Sequence, residues 1–377
     1  SVYNEFFQNR ISPSDPDLKN KIWGNLYQTI FQANAALEGL SAAAFDSVAK
    51  RQLTGEALFV RAFCNFYLVN LFGDIPLVTG TNYLQNAKLS RSPASKVYQE
   101  MITDLQKAVD LLAEDYLDGS NQVSINDRLR PNKATAEALL ARIYLYQKDW
   151  RNAELIAGML ISQADRYPLQ SDLKQTFLAG STETIWQLMP VLPNINTGEG
   201  SMFVQTSGVP VYGFLDSALL NSFESGDLRA SDWISNYINE GTTYYYPAKY
   251  KMGYSSSQTE YYTVFRIAEQ YLIRAEARNE QQNVSGAATD LNLIRERADL
   301  NPTTATDYNS MKLAIEMERR HEFFCEWGNR WLDLKRTGRI PDVLSAKKSS
   351  WESSAQLYPV PQTEIQNDPN IVQNPGY

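Results

Sequence analysis

The stretch from Glu56 to Pro76, EALFVRAFCNFYLVNLFGDIP, limits what this chain can fold into more than any other. Read as one helix, it carries Leu58, Phe59, Ala62, Phe63, Phe66, Tyr67, Leu68, Leu71 and Phe72 around nearly its whole circumference. Arg61 and Asn65, four residues apart, form its only continuous polar line. A helix apolar on almost every side must be packed on several faces at once, so other elements have to surround it. Gly73-Asp74 breaks it. Ile75-Pro76 then sends the chain off extended, because a residue before proline is pushed out of the helical region. Such a stretch is scaffold, and the question is what it supports.

With 377 residues the chain holds an ample core as one large domain or as two. Its 43% apolar and 21% charged residues are ordinary for a globular protein. No apolar run approaches the ~20 residues that a membrane helix needs. A net charge of −8 and a pI near 5.0 argue against nucleic acid or an anionic membrane surface as the main partner. The aromatic share of 12%, with 22 Tyr and 7 Trp, exceeds what a core alone requires and asks for a use. Cys64 and Cys325 lie on separate helical stretches and read as buried free thiols, a disulfide between them being left open. No zinc spacing or cofactor motif is present, and neither metal nor cofactor is expected. The chain opens at Ser1 without a leader, so any signal segment is expected to lie outside it.

Helical rhythm organises both ends. Ser14-Asp15-Pro16 starts a helix with Trp23, Leu26, Tyr27, Ile30, Asn34 and Leu37 on one stripe, ended by Gly39. The opening helix begins near Phe45, with a weak point at Gly55. Further helices start at Ser92-Pro93, at Asn132 and, after a tight turn at Lys148-Asp149, at Trp150. From 164 to 263 the rhythm fades. Thr184–Met189 reads as a strand, Pro190–Gly213 as loop, Leu215–Phe223 as a short helix, and Tyr244–Tyr250 as extended. So long an irregular, aromatic-rich segment is functional rather than disordered. Helices resume over Phe265–Glu280, Ser285–Arg297 and Ser310–Trp327, a short one follows over Trp331–Arg336, and a proline-containing extended tail runs over 357–377.

Three of these helices share Glu-x-(Leu/Tyr)-x-x-Arg: Glu56 to Arg61, Glu137 to Arg142 and Glu269 to Arg274. In the last two a second helix follows a short turn, with Ala153 and Ala287-Ala288 at near-equivalent places where small side chains permit close packing. That is the layout of tetratricopeptide-type hairpins, each pair needing a neighbour to bury its apolar face.

The chemistry of catalysis finds little support. His321 is the single histidine and no nucleophile elbow accompanies it. Glu316, Glu318, Glu322 and Glu326 resemble a glycosidase carboxylate set, but they alternate with Arg319 and Arg320, and Glu316–Arg320 has ion-pair spacing. Carboxylates compensated by arginine make poor general acids, so the group reads as structural. The unabsorbed residues are aromatic: Tyr83 after the opening helix, then Trp186, Trp233, Tyr237, Tyr244, Tyr245, Tyr246 and Tyr254 in the irregular segment. Rings on loops suit stacking against the C–H faces of sugars, with Asn82, Asp232, Asn236 and Asn239 near in sequence to bond hydroxyls.

Taken together the stretches resemble the SusD/RagB family of outer-membrane nutrient-binding lipoproteins. The resemblance rests on Trp23-x-x-Leu26-Tyr27-x-x-Ile30, on Arg61 through Gly73-Asp74-Ile75-Pro76-Leu77, and on Arg266 through Ala277 followed by Leu291-Asn292 and Arg295. Glu318-Arg-Arg-His-Glu-Phe, Arg330-Trp-Leu-Asp333 and the ending Tyr358-Pro-Val-Pro361 to Tyr377 complete it. It implies one SusD-like domain over 1–377. In that domain about four tetratricopeptide-like helical pairs, at 15–163 and 264–336, pack against the irregular segment 164–263 with a few short strands, making an all-α fold. It implies a non-enzymatic surface lipoprotein of the outer membrane that captures oligosaccharide or polysaccharide for a SusC-like TonB-dependent transporter, with the lipidated N-terminal region absent from this chain. It assigns no ligand residues, so the aromatic set is this chain's own. An adaptor or importer of peptide or protein is the alternative.

Overall fold

The computed structural model describes residues 3–45, 47–124, 127–205, 207–349 and 351–377. Among these residues the chain is mainly helical, with two two-stranded sheets. The chain divides into two compact units, one of residues 3–123, 131–143 and 331–377, the other of 124–130 and 144–330. Among the described residues no helix is long and apolar enough to cross a membrane.

In the first unit the Ser47–Phe72 helix is flanked by the Gly24–Ala42 and Ala94–Leu111 helices. Phe59, Ala62, Phe66, Leu68 and Phe72 are buried, as an all-round apolar helix requires. Its polar line is buried too. The Arg61 guanidinium donates from Nε and Nη2 to the two Asp104 oxygens, at 2.8 and 2.6 Å, and from Nη1 to Asn34 Oδ1 at 2.8 Å. Gly55 is a close-approach point and not the weak point expected, because a Cβ there would sit 2.7 Å from Leu112 Cγ.

The helix ends at Gly73, whose φ of +76° suits a residue without Cβ. Its last carbonyls have no intrahelical partner and are satisfied from elsewhere. Tyr358 N donates to Leu71 O at 2.8 Å, while Asn374 Nδ2 and Arg91 Nη2 donate to Phe72 O at 2.9 and 3.1 Å. Asp74 Oδ1 accepts from Ala94 N at 2.9 Å and so caps the next long helix. The tail is therefore a cap for the central helix. It is not extended throughout, since Gln362–Asn367 forms a helical turn and a half.

In the second unit the Ile267–Glu280 helix packs against Trp150–Ile161, Val284–Arg297 and Tyr308–Glu322. Ala268, Leu272, Ala275, Ala287, Leu291, Ile294, Met311 and Ile315 form its core. Ala153 and Ala287 are fully buried, as small residues at a close helix contact should be. Arg274 repeats the Arg61 fork: Nε and Nη2 reach the two oxygens of Asp290 on the following helix, at 3.0 and 2.6 Å.

The irregular segment belongs to this unit. Thr184–Leu188 pairs antiparallel with Tyr262–Arg266, and Ile234–Asn239 with Thr242–Pro247. The latter hairpin turns through Glu240 and Gly241, both at positive φ (49° and 79°), as a type I′ turn demands. Phe265 and Arg266, expected in a helix, finish a strand. The helix starts at Ile267, whose N–H donates to Glu183 O at 2.9 Å. The helix expected over Leu215–Phe223 is the short Ser217–Leu220, capped by Asp216. Ser235, Asn236 and Asn239 disfavour strand on propensity, which hid the first arm of the hairpin.

Candidate functional site

The carboxylate helix is wired into buried arginines from three places: Arg229 of the irregular segment, Arg266 at the end of the following strand and Arg297 at the end of the Val284–Arg297 helix. Arg229 Nη1 lies 2.6 Å from Glu318 Oε1 and 3.2 Å from Glu322 Oε2, and its Nη2 lies 2.8 Å from Asp227 Oδ2. Glu322 also contacts Arg266 and Arg297, and Arg266 Nη2 reaches Glu326 at 2.9 Å. Burial works against ionisation of Glu322, but Arg297, Arg266 and Arg229 together hold it well below the usual carboxylate range. Burial raises Glu318, with Arg229 and Arg295 opposing. Glu316 pairs with Arg330 at 3.5 Å.

His321 is buried, stacked on Phe223 with ring centroids 4.4 Å apart, and its Nε2 lies 3.0 Å from Ser222 Oγ. Ser222 Oγ donates to Leu219 O at 2.7 Å, so its one proton is committed and the imidazole is the donor to it. Burial and the Arg229 charge lower the histidine to about 4. A neutral imidazole that donates to the hydroxyl cannot act as its general base. Cys64 is buried and free as expected, whereas Cys325 is free but exposed, standing at φ 55° just beyond the helix end.

The expected aromatic residues divide sharply. Trp186 is 5% exposed, donates Nε1–H to Leu129 O at 2.8 Å and stacks on Phe265 at 6.0 Å. Trp233 is 0% exposed, donates to Leu173 O at 3.0 Å and lies under Lys249 Nζ at 4.7 Å. Both indoles are packing elements with no face left for a ligand, which corrects the expectation for these two. Tyr237, Tyr244 and Tyr246 are half-buried on the hairpin. Tyr237 lies 5.6 Å from Tyr244 and 6.2 Å from Tyr246, and its hydroxyl donates to Gly208 O at 2.9 Å. Tyr245 is exposed, and Tyr254 is 75% exposed. Of the polar companions, Asn82 caps a helical turn through Gln85 N at 3.2 Å, Asp232 pairs with Lys174 at 3.7 Å, and Asn239 accepts from Gly208 N at 3.2 Å.

Tyr83 stands apart. It is 73% exposed on the turn Tyr83–Asn86 and lines a cavity of about 420 Å³ in the first unit. Tyr27 and Phe31 form an aromatic wall backed by the buried Trp23, which is 3% exposed, and Asn86, Glu364, Asn367 and Asp368 bring polar atoms. The wall is positioned by the backbone, since Tyr27 Oη donates to Pro76 O at 2.8 Å and Trp23 meets Phe72 edge-on at 4.8 Å. Thr81 is bonded to Glu38 through N and Oγ1, at 2.8 and 2.5 Å, which fixes the segment after the helix exit.

A family model described as "Starch-binding associating with outer membrane" matches residues 2–145, and the SusD family model matches residues 221–377. The chain belongs to the SusD/RagB family. A SusD-like protein of Formosa agariphila is 26% identical, over 96% of this chain and 81% of its own length. A SusD-like protein from Bacteroides fragilis superposes with a TM-score of 0.84 over 99% of this chain and 89% of its own, at 21% identity. A laminarin-binding SusD-like protein gives a TM-score of 0.81 over 99% and 88%, at 23% identity. At these identities the superpositions establish the SusD-like fold alone. The sequence places Tyr27 on the core stripe with Trp23 and leaves Phe31 off it, so neither Tyr27 nor Phe31 stands out in the sequence as a candidate cavity residue. The sequence signal available was Phe31 itself, a large apolar residue off the core stripe, and in the fold half of its surface stays exposed.

Proposed function

We propose that the chain binds oligosaccharide or polysaccharide at the outer membrane surface and passes it to a partner TonB-dependent transporter, without turning it over. The observation that carries this reading is the Tyr83 cavity, in which aromatic faces stand beside amide and carboxylate groups. Phe31 and Tyr83 offer flat apolar area to the C–H faces of a sugar ring, and Asn86, Asn367 and Asp368 offer bonds to hydroxyls. The family description naming starch and the neighbour that binds laminarin support glucose-based polymers as the first ligands to try. A half-open cavity leaves a hydrated glycan much of its water, so the expected affinity is micromolar to millimolar, about −8 to −4 kcal/mol. Weak binding suits a protein that must release its cargo.

The test is calorimetric titration against a panel of soluble polysaccharides that includes starch and laminarin. Tyr83→Ala and Phe31→Ala, both at exposed positions, are expected to weaken binding roughly tenfold each, the loss of one stacked ring (about 1–1.5 kcal/mol). Tyr245→Ala and Tyr254→Ala report on the hairpin unit in the same way. Binding that survives all four substitutions would remove both aromatic surfaces from the reading. Co-isolation of a TonB-dependent transporter from native outer membranes tests the delivery step.

A further inference from the structure

A second concave surface lies wholly within the 144–330 unit, between the Trp150–Ile161 and Ile267–Glu280 helices, with a volume of about 570 Å³. Arg151, Arg274 and Arg278 line it, with Glu154, Leu155 and Met159. The carboxylates nearby are already bonded. Asp290 is held by Arg274 and by Arg278 Nη1 (2.9 Å), and Glu154 by Arg278 Nε at 2.9 Å and Gln281 Nε2 at 2.8 Å. Three sets of guanidinium donors remain. Arg274 Nη1 and Arg278 Nη2 make no hydrogen bond among the described residues, and Arg151 is exposed and likewise unpaired. Gly158 keeps Arg274 uncovered, since even a Cβ there would already stand 3.8 Å from its Nη1.

We propose that this groove binds an acidic peptide segment carrying an apolar residue beside its carboxylates. Three guanidinium groups against the two bonded carboxylates Glu154 and Asp290 leave one positive charge in excess and free N–H donors, in a protein of net charge −8, and the complement of such a surface is anionic. Leu155 and Met159, four residues apart and both exposed, place a flexible aliphatic ridge beside them. None of the described residues lining the groove is aromatic, and the neighbouring Tyr271 ring is taken up by Arg274 at 5.8 Å, so the lining lacks the flat faces that sugar stacking uses, while a leucine or methionine of a peptide packs well on such a ridge. This site shares no residue with the Tyr83 cavity and stands independently of the glycan reading.

The experiment is fluorescence anisotropy of the full chain with a fluorescein-labelled ten-residue peptide alternating Asp and Leu, and with its Asn-for-Asp counterpart. Saturable binding of the acidic peptide is expected, weakening with added salt and by about fivefold in Arg151→Glu. Gly158→Met is expected to lower binding as well, because its side chain runs into the groove, and it serves where the charge reversal disturbs folding by circular dichroism. No saturable binding, equal binding of the amide peptide, or indifference to both substitutions would overturn the proposal. So would displacement of the peptide by a polyuronate at lower concentration than by unlabelled peptide. Glucan titration of the same variants should be unchanged, which separates this outcome from any failure of the Tyr83 cavity.

Discussion

Arg61 and Arg274 show how much one side chain settles. Each leaves the first helix of a pair and clamps, through Nε and Nη2, an aspartate of the helix that follows. The sequence displays the arginines as a repeated spacing but not Asp104 or Asp290, which lie 43 and 16 residues further on. Removing the Asp104 charge leaves the buried guanidinium with only the longer contact to Glu100, at 3.8 Å, as a charge partner, so Asp104→Asn should cost about 3 kcal/mol in urea unfolding. His321 makes a separate prediction. Its native pKa, lowered from 6.5 to about 4, means that the unfolded chain binds the extra proton first as pH falls. Stability should therefore drop between pH 6.5 and 4, by up to about 3 kcal/mol, and level off below. Glu322, held below its ordinary 4.5, adds a loss of the same sign starting near pH 4.5, while the raised Glu318 works in the opposite sense. Comparing urea midpoints of the wild type and His321→Gln at pH 7 and pH 5 isolates the histidine, and a parallel decline in both would refute its part.

At the scale of elements, glycines that look alike in sequence play opposite parts. Gly39, inside the Gly24–Ala42 helix, leaves open space for 4 Å around the place a Cβ would take, so Gly39→Ala should stabilise by about 0.5–1 kcal/mol through helix propensity alone. Gly55→Ala gains the same propensity yet drives a methyl into Leu112, and the net change should be a loss of about 1–3 kcal/mol. Gly73→Ala should also destabilise, by about 1–2 kcal/mol, since its φ of +76° is costly for a residue with a Cβ and Leu357 Cδ1 stands 3.1 Å away. Thermal melts of the three variants give one rise and two falls if these contacts are right. Helix existence was readable because its period is local. The Phe265–Arg266 strand was not, because its partner Thr184–Trp186 lies some eighty residues upstream and pairing overrode a helical pattern.

For the whole molecule, binding without turnover is the expected behaviour. Incubation with starch-type or laminarin-type oligosaccharides should release no new reducing ends, since Glu318 and Glu322 are engaged by arginines and His321 by Ser222. Sustained release would refute it. The sequence by itself determined the helical repeats, the buried central helix with its Gly73-Asp74-Ile75-Pro76 exit, and the family, because each is written in local spacing or in motifs short enough to read along the chain. It did not determine which aromatic rings meet solvent. Trp233 and Tyr83 are equally plausible on paper, and only tertiary packing seals the first beneath Lys249 and leaves the second at the mouth of a cavity. The same holds for the charges. The folded chain brings Glu183, Arg229, Arg266, Arg297 and Glu322 together from distant segments, where burial makes each ion depend on the others.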